Sequence, residues 1–533
     1  MKKIYLFAAV AMSAMQMQAQ PATQDTYVGA ALATEDLNGT ARYVGMGGAM
    51  DALGAEISTM GSNPAGIGLF RRSQVSASLS VNIQENGMSF QDGSKTHVSF
   101  DQIGFVFSSQ TGKTSYLNFG FNFHKNRNFN HVLFAEAALN GSSQNRQTVI
   151  KDIAGLFDTY AWSQLDDLYF GNMLYDDVKK TMYSYDGESY EFQRANTGYI
   201  GEYDFNISGN IKNRLYLGLT IGVHSVNYKN YSEYYEWLNS KYFDDVLVAD
   251  NHEITGYGYN VKAGLIVRPI EESPFRIGVS VATPTFYRLT TENYTDFVCA
   301  RFKDPEDHEK GTDIKKDHSA AKEDFRFNTP WKFGVSLGHT VGNYLALGAV
   351  YEYADYGACD MRTIDGGYYD YWNGTYYDNS SSDNVMKRHT EKTLRGVSTL
   401  KVGGEYKIDK DIAVRLGYNY VSPMYKETGV RDQTLLSPGV YYASTTHYVN
   451  WKDTHRITAG VGFSFDKFRL DLAYQYSMRK GDFYPFMPSL SATAELYDET
   501  GATIGTITES NSCSAVNVKD NRHQIQCSLT YSF

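Results

Sequence analysis

An alternation of period two, recurring about fourteen times, constrains this chain more than anything else in it. From residue 73 onward, segments of ~10 residues put apolar side chains on one face and polar or small ones on the other. Val75, Ala77, Leu79, Val81 and Ile83 share a face, and Ser76, Ser78, Ser80 and Asn82 take the other. Leu117, Phe119, Phe121 and Phe123 oppose Asn118, Gly120, Asn122 and His124. Leu215, Leu217, Leu219, Ile221 and Val223 repeat the pattern, as do Ile412, Val414, Leu416, Tyr418 and Tyr420, and Phe468, Leu470, Leu472, Tyr474 and Tyr476. The expected strands are 74–83, 97–108, 115–125, 198–210, 214–227, 252–268, 275–288, 328–339, 344–354, 396–408, 411–421, 454–465, 468–478 and 522–533.

Their connections alternate strictly in length. Short turns join 108 to 115, 210 to 214, 268 to 275, 339 to 344, 408 to 411 and 465 to 468. Long loops fill 84–96, 126–197, 228–251, 289–327, 355–395, 422–453 and 479–521. An even strand count with one short-turn end and one long-loop end is the pattern of a closed antiparallel barrel in an outer membrane. Lipid supplies no partner for an open sheet edge, so the barrel must close. The fold class is therefore all-β, a closed antiparallel transmembrane barrel of about 14 strands over 73–533.

Composition agrees. Aromatics are 14% of the 533 residues, with 43 Tyr and 29 Phe against 5 Trp, and Pro is only 11. Mean hydropathy is −0.42, and past the N-terminus no apolar run reaches the ~18 residues of a spanning helix. A net charge of −11 argues against a general nucleic-acid binder, which needs basic patches.

Lys2 and Lys3, the apolar stretch 4–12 and Met17-Gln18-Ala19 read as an export signal over 1–19, with Gln20 next. Export places the barrel in the outer membrane of a Gram-negative bacterium. Cys299, Cys359, Cys513 and Cys527 fit no zinc or haem spacing; three fall in expected loops and Cys527 in a strand, and a loop disulfide stays open. Residues 20–72 do not alternate and are rich in Gly and Ala, which suits a plug inside the barrel or a periplasmic tail. Gly45, Gly47 and Gly48 lack the preceding strand and following Lys-Ser/Thr of a phosphate loop.

Asn63-Pro64-Ala65, after that stretch, resembles the N-terminal hatch of the FadL/TodX family of outer-membrane hydrophobic-compound transporters. The segment 256–265, Thr329-Pro330-Trp331-Lys332-Phe333-Gly334 and His455-Arg456-Ile457-Thr458-Ala459-Gly460 are similar to later strands of that family. The end of the chain, 523–533, resembles the C-terminal signal read by the barrel-assembly machinery. The resemblance implies a hatch over 20–72, capture of an apolar ligand outside, passage through the lumen and lateral exit at a kink in the third strand. Gly120, between Asn118 and Asn122, is the candidate for that opening; a small residue facing a crowded lumen reads the same way.

In the loop after the third strand, Val149, Ile150, Ile153, Leu156 and Phe157, then Leu165, Leu168 and Tyr169, fall at helical spacing. They predict two short amphipathic helices, either a capture groove lined by Ile153, Leu156, Phe157, Leu165 and Leu168 or a packed loop cap. Glu202, Asp204, Lys332, Glu352, Lys401, Glu405, Arg415, Arg456, Arg469 and Asp471 occupy lumen-facing positions. Lys401, Arg415 and Arg456 are candidates for a ligand carboxylate, or for bracing salt bridges. Tyr368-Tyr369-Asp370-Tyr371-Trp372, with Tyr376 and Tyr377, forms an aromatic loop suited to sugar stacking, to a partner or simply to surface. No catalytic motif appears, and no cofactor or metal is expected.

The function expected is passive uptake of hydrophobic small molecules such as long-chain fatty acids, by a monomer. Its partners are the ligand, outer-membrane lipid and lipopolysaccharide, and the assembly machinery. The alternative is a barrel shuttle in a type IX-like protein secretion system.

Overall fold

The computed structural model describes residues 22–179, 181–497 and 503–533. The expected export signal over 1–19 lies outside the described residues. Fourteen antiparallel strands form a closed barrel. They are β1 (Gln74–Gln84), β2 (Thr96–Gly112), β3 (Ser115–Asn128, continued by His131–Ala138), β4 (Asp186–Ile211), β5 (Leu215–Asn239), β6 (Phe243–Val267) and β7 (Arg276–Ala282, continued by Phe286–Phe302). The circuit goes on through β8 (Thr312–Asn328 and Lys332–Val341), β9 (Leu345–Asp355 and Asp360–Asp370), β10 (Gly396–Lys407), β11 (Ile412–Val421), β12 (Tyr448–Phe465), β13 (Phe468–Tyr484) and β14 (Val516–Ser532). β1 closes it, pairing with β2 from Gln74↔Val106 to Ile83↔Thr96 and with β14 from Gln74↔Ser532 to Gln84↔Arg522. The Phe533 amide donates to the Ser73 carbonyl at 3.0 Å, so first and last strands are tied at their ends.

The alternation now has a direction. Phe105 and Phe107 of β2, Phe205 and Ile207 of β4, Leu217, Leu219 and Ile221 of β5, and Val335 and Leu337 of β8 point outward and are exposed. Their neighbours Asn206, Ser208, Thr220 and Ser336 point inward and are buried. An apolar exterior round a closed ladder is what a bilayer requires. Tyr344, Tyr406, Phe465, Phe468 and Phe533 lie near the short-turn end of this belt, and Tyr203, Tyr257, Tyr259 and Tyr353 near its other margin, the aromatic girdles of an interface.

Several connections expected as loops are strand. β4 has 26 residues, and β5 and β6 have 25 each, whereas ~9–11 suffice to cross a bilayer. Most of 228–251 and 289–327 therefore continues the wall, and Cys299 lies on β7 rather than in a loop. The outer ladder lacks the polar-in, apolar-out signature because water, not lipid, surrounds it. All four cysteines are free, so the open disulfide does not form.

The extended wall carries a cap. Helices α3 (Gln144–Ile153) and α4 (Gln164–Tyr169) form as the spacing predicts, but Leu156 and Phe157 fall beyond the end of α3. Ser163 and Asp166 close a capping box at the start of α4. Trp162, Leu165, Leu168 and Tyr169 pack with Phe192, Tyr234, Val246, Phe297 and Phe483 into one apolar core. A buried carboxylate, Glu236 of β5, accepts from the Gln144 amide at 3.1 Å and from the Ser143 hydroxyl, meeting the free amides at the start of α3.

Candidate functional site

Residues 22–72 lie against inward-facing positions around most of the wall. They form the helices α1 (Thr26–Ala33) and α2 (Ala41–Gly45) and the 3₁₀ turns Ile57–Met60 and Pro64–Leu69. In the motif 63–65, the Asn63 side chain accepts from the Ala65 amide at 3.1 Å and Pro64 opens the second 3₁₀ turn. Proline suits that first helical position, where no backbone donor is needed. The Pro64 carbonyl accepts from Ser208 Oγ at 2.7 Å, which ties the motif to β4.

Opposite this segment the wall is glycine. A Cβ on Gly218 would overlap the Pro64 backbone, one on Gly264 the Asn63 side chain, one on Gly348 the Ala49 carbonyl and one on Gly403 the Met46 carbonyl. On Gly338 it would stand 3.0 Å from Ala52 C, and on Gly460 3.3 Å from Gly45 Cα. The inward glycines of β5, β6, β8, β9, β10 and β12 thus let backbone rest on backbone. The sequence carries this signal as glycine recurring at inward positions of these strands.

Gly120 does not interrupt the wall. It pairs with Val106 of β2 and Asn206 of β4, and the register runs unbroken from Tyr116 to Lys125 on the β4 side. The irregularity comes later, between Lys125 and Arg127. The inward face of Gly120 receives the Met60 side chain. Asn118 donates to the Ile67 carbonyl at 2.6 Å, and Asn122 accepts from Gln102 at 2.9 Å. On the lipid side, Phe105, Phe119, Phe121, Phe205 and Ile207 outline a shallow apolar groove over Gly120.

All ten charged positions expected inside the barrel face inward, and all are engaged. Lys401 donates to Glu352 at 2.7 Å. Arg415, fully buried, donates to Glu405 at 2.7 Å and stands 2.8 Å from Asp471. Arg456 donates to Asn419 at 2.8 Å and stands 3.8 Å from Asp36. Lys332 pairs with Glu35 and Lys262 with Glu202. Removing one member of a buried ion pair of this sort strands the other. Of the expected capture-groove residues, Ile153, Leu165 and Leu168 are inside the cap core, while Phe157 is exposed against Trp162 and Phe170.

Above the glycine belt the lumen opens into a cavity of about 210 Å³. Its floor is the helix Thr26–Ala33, and its walls include Arg127, Arg194, Arg431, Arg479, Arg522 and Trp451. Arg431 binds Asp25 through Nε at 2.8 Å and the His447 carbonyl at 2.8 Å. Arg479 donates to Asp520 at 2.7 Å and lies 4.1 Å from the Trp451 ring centroid, and Arg522 donates to the same Asp520 at 2.7 Å. His447, in the connection before β12, is held below the usual imidazole range by burial and by Arg194 and Arg431. Arg194 itself has no ion pair or hydrogen bond among the described residues, and its Nε is buried without a partner. Periodicity does not reveal Arg194, because it falls within 126–197, expected as a loop, whereas the structure places it on β4.

No family model matches the chain, and no curated protein matches it in sequence. Among solved structures, the toluene transporter TbuX of Ralstonia pickettii is similar over 93% of this chain and 99% of its own, at 12% identity and TM-score 0.46. A FadL homologue of Pseudomonas aeruginosa is similar over 94% and 100%, at 11% identity and TM-score 0.48. The toluene transporter TodX of P. putida is similar over 93% and 99%, at 12% identity and TM-score 0.48.

Proposed function

We propose that this chain is an outer-membrane channel of the FadL/TodX kind, for passive uptake of hydrophobic small molecules such as long-chain fatty acids or aromatic hydrocarbons. The observation that carries the reading is the arrangement at β3. In this reading the N-terminal segment, which rests on inward glycines of the wall, blocks a straight path to the short-turn end. At Gly120 one layer of backbone separates the Met60 side chain from an apolar groove on the lipid side. Opening the lumen sideways into lipid would need a local parting of β3 from β2 or β4 at Gly120 together with a shift of Met60 and of the 63–65 turn. Apolar cargo would follow because each CH₂ removed from water is worth ~0.8 kcal/mol. No energy source enters the scheme.

The test is uptake of laurate and toluene into liposomes holding the purified barrel. Asn63→Ala, which removes the cap of the 3₁₀ turn, is expected to change the flux several-fold while the barrel still migrates faster unboiled than boiled. Flux equal to that of protein-free liposomes in the unaltered protein would defeat the reading.

A further inference from the structure

Three neighbouring strands break at one height. β7 is interrupted at Thr283-Pro284-Thr285, β8 at Thr329-Pro330-Trp331 and β9 at 356–359. The seams beside these breaks are not repaired alike. Between β6 and β7, the Thr283 amide donates to the Val261 carbonyl at 3.0 Å and the Val261 amide to Thr283 Oγ1 at 3.1 Å. Between β7 and β8, the Thr329 amide donates to the Thr285 carbonyl at 3.2 Å and the Thr285 amide to Thr329 Oγ1 at 2.8 Å. Between β8 and β9 the ladder stops at Lys332↔Ala354 and resumes at Asn328↔Asp360, so three residues stand opposite five. Among the described residues no hydrogen bond crosses that interval. Pro330 has no amide hydrogen to offer, and above it only the three pairs from Arg326↔Arg362 to Asn328↔Asp360 hold the two strands together.

Both sides of this seam are apolar. On the outer surface Trp331, Phe333 and Tyr353 are exposed at the upper margin of the lipid belt. On the lumen side Leu32 and Ala33 of α1 pack with Phe327 of β8 and with Cys359 and Met361 beside it in one cluster. A Cβ on Gly29 of α1 would stand 2.8 Å from Met361 Cε. Tyr356 lies in the seam itself, its hydroxyl donating to the Ala33 carbonyl at 3.4 Å, and the Lys332–Glu35 pair marks the lower edge. Val28 and Leu32 of the same helix line the upper cavity. Unpaired backbone at membrane depth is tolerated where protein covers it or a cavity lies behind it, and here α1 stands between the cavity and the seam. The cap provides no open groove at the residues expected for capture, since Ile153, Leu165 and Leu168 are buried in its core.

We propose that the β8–β9 seam at Pro330 is a lateral entrance, through which apolar cargo dissolved in the outer leaflet reaches the upper lumen, with α1 and Tyr356 as its inner door. The inference rests on the channel reading for its cargo and does not need the exit at Gly120.

The chain carries its own reporters. Cys359 stands at the seam, Cys299 is in the cap core and Cys527 is exposed on β14. Cys359 and Cys299 are comparably buried, at 3% and 0% exposure. The unaltered full chain in liposomes is treated with pyrene maleimide, which partitions into lipid, or with a membrane-impermeant sulfonated maleimide, and the modified cysteines are mapped by mass spectrometry. Pyrene maleimide is expected to modify Cys527 fastest, and Cys359 at least tenfold faster than Cys299. That preference for Cys359 over Cys299 should vanish with the sulfonated reagent, and laurate should slow Cys359 several-fold without slowing Cys527. In Cys527→Ser, laurate flux should fall at least threefold once Cys359 carries the pyrene group. Modification of Cys359 no faster than Cys299, the same preference with both reagents, no protection by laurate, or flux unchanged by the label would overturn the proposal. Flux absent from the untreated protein would defeat the channel reading and the entrance with it, whereas flux present with Cys359 unmodified would defeat the entrance alone.

Discussion

One strand can be read in two halves with opposite chemistry. In the lower half of β5, Leu217, Leu219, Ile221 and Val223 face out and Gly218, Thr220 and His224 face in. In its upper half, Val226, Tyr234 and Leu238 face in and Asn227, Lys229 and Glu233 face out. β4 does the same, with Phe205 and Ile207 outward below and Tyr190 and Phe192 inward above. The backbone ladder does not change. What changes is the solvent, lipid below and water above: below, the aliphatic side chains of β5 all face out, whereas above, Tyr234 and Leu238 face in beside Asn230, Ser232 and Glu236. The lower lumen is therefore left to polar groups, ion pairs and glycine, while the upper part builds an ordinary apolar core in its cap and keeps a charged cavity beneath it.

The comparison can be broken most severely from the lower lumen. Arg415→Met removes the buried cation between Glu405 and Asp471, and about 3–5 kcal/mol is the usual loss when one member of a buried pair goes. Urea unfolding of vesicle-inserted protein measures it, and an unchanged midpoint would show that water screens this pair in the lower lumen. A sharper contrast lies along β5. Leu219→Arg sets a charge in the lipid belt and is expected to cost about 2–4 kcal/mol. Asn227→Arg, on the same face above the belt, should stay within about 0.5 kcal/mol. Equal effects at the two sites would erase the proposed boundary between lipid and water.

Smaller effects belong to the cap. Ser163→Ala deletes the capping box of α4 and should lower protection of the cap from proteolysis by the equivalent of about 1 kcal/mol. At Asp152 of α3, burial pushes the carboxyl up to about 6. Its folded value lies above the unfolded one, so its contribution favours the fold at low pH and is lost as pH rises through about 6. Asp152→Asn should therefore make the cap slightly more protease-resistant at pH 7 and leave it unchanged at pH 4. The opposite pH trend would contradict the burial of that carboxyl.

How much of this was legible follows from the same inversion. The lower half of every strand could be placed from its residues, because a bilayer imposes one strict rule on Val75 to Ile83 as on Phe468 to Tyr476. The upper extensions of β4 to β8 could not, because Lys229, Glu233 and Tyr235 beside Tyr234 obey no such rule. Lys401, Arg415 and Arg456 could be seen to face the lumen. Their partners Glu352, Glu405 and Asp36 sit on other strands or on the N-terminal segment, so the engagement that leaves them no free charge could not be read along the chain.

The sequence by itself determined the barrel, its strand count, its closure and its two unlike ends, since period-two alternation and loop length are local and lipid tolerates one solution. Tertiary structure alone decided which glycines receive the N-terminal segment, that Gly120 is spanned by an intact ladder, and that Arg194 is left without a counter-ion. Those facts depend on residues up to several hundred positions apart meeting across a lumen, and no local pattern encodes such a meeting.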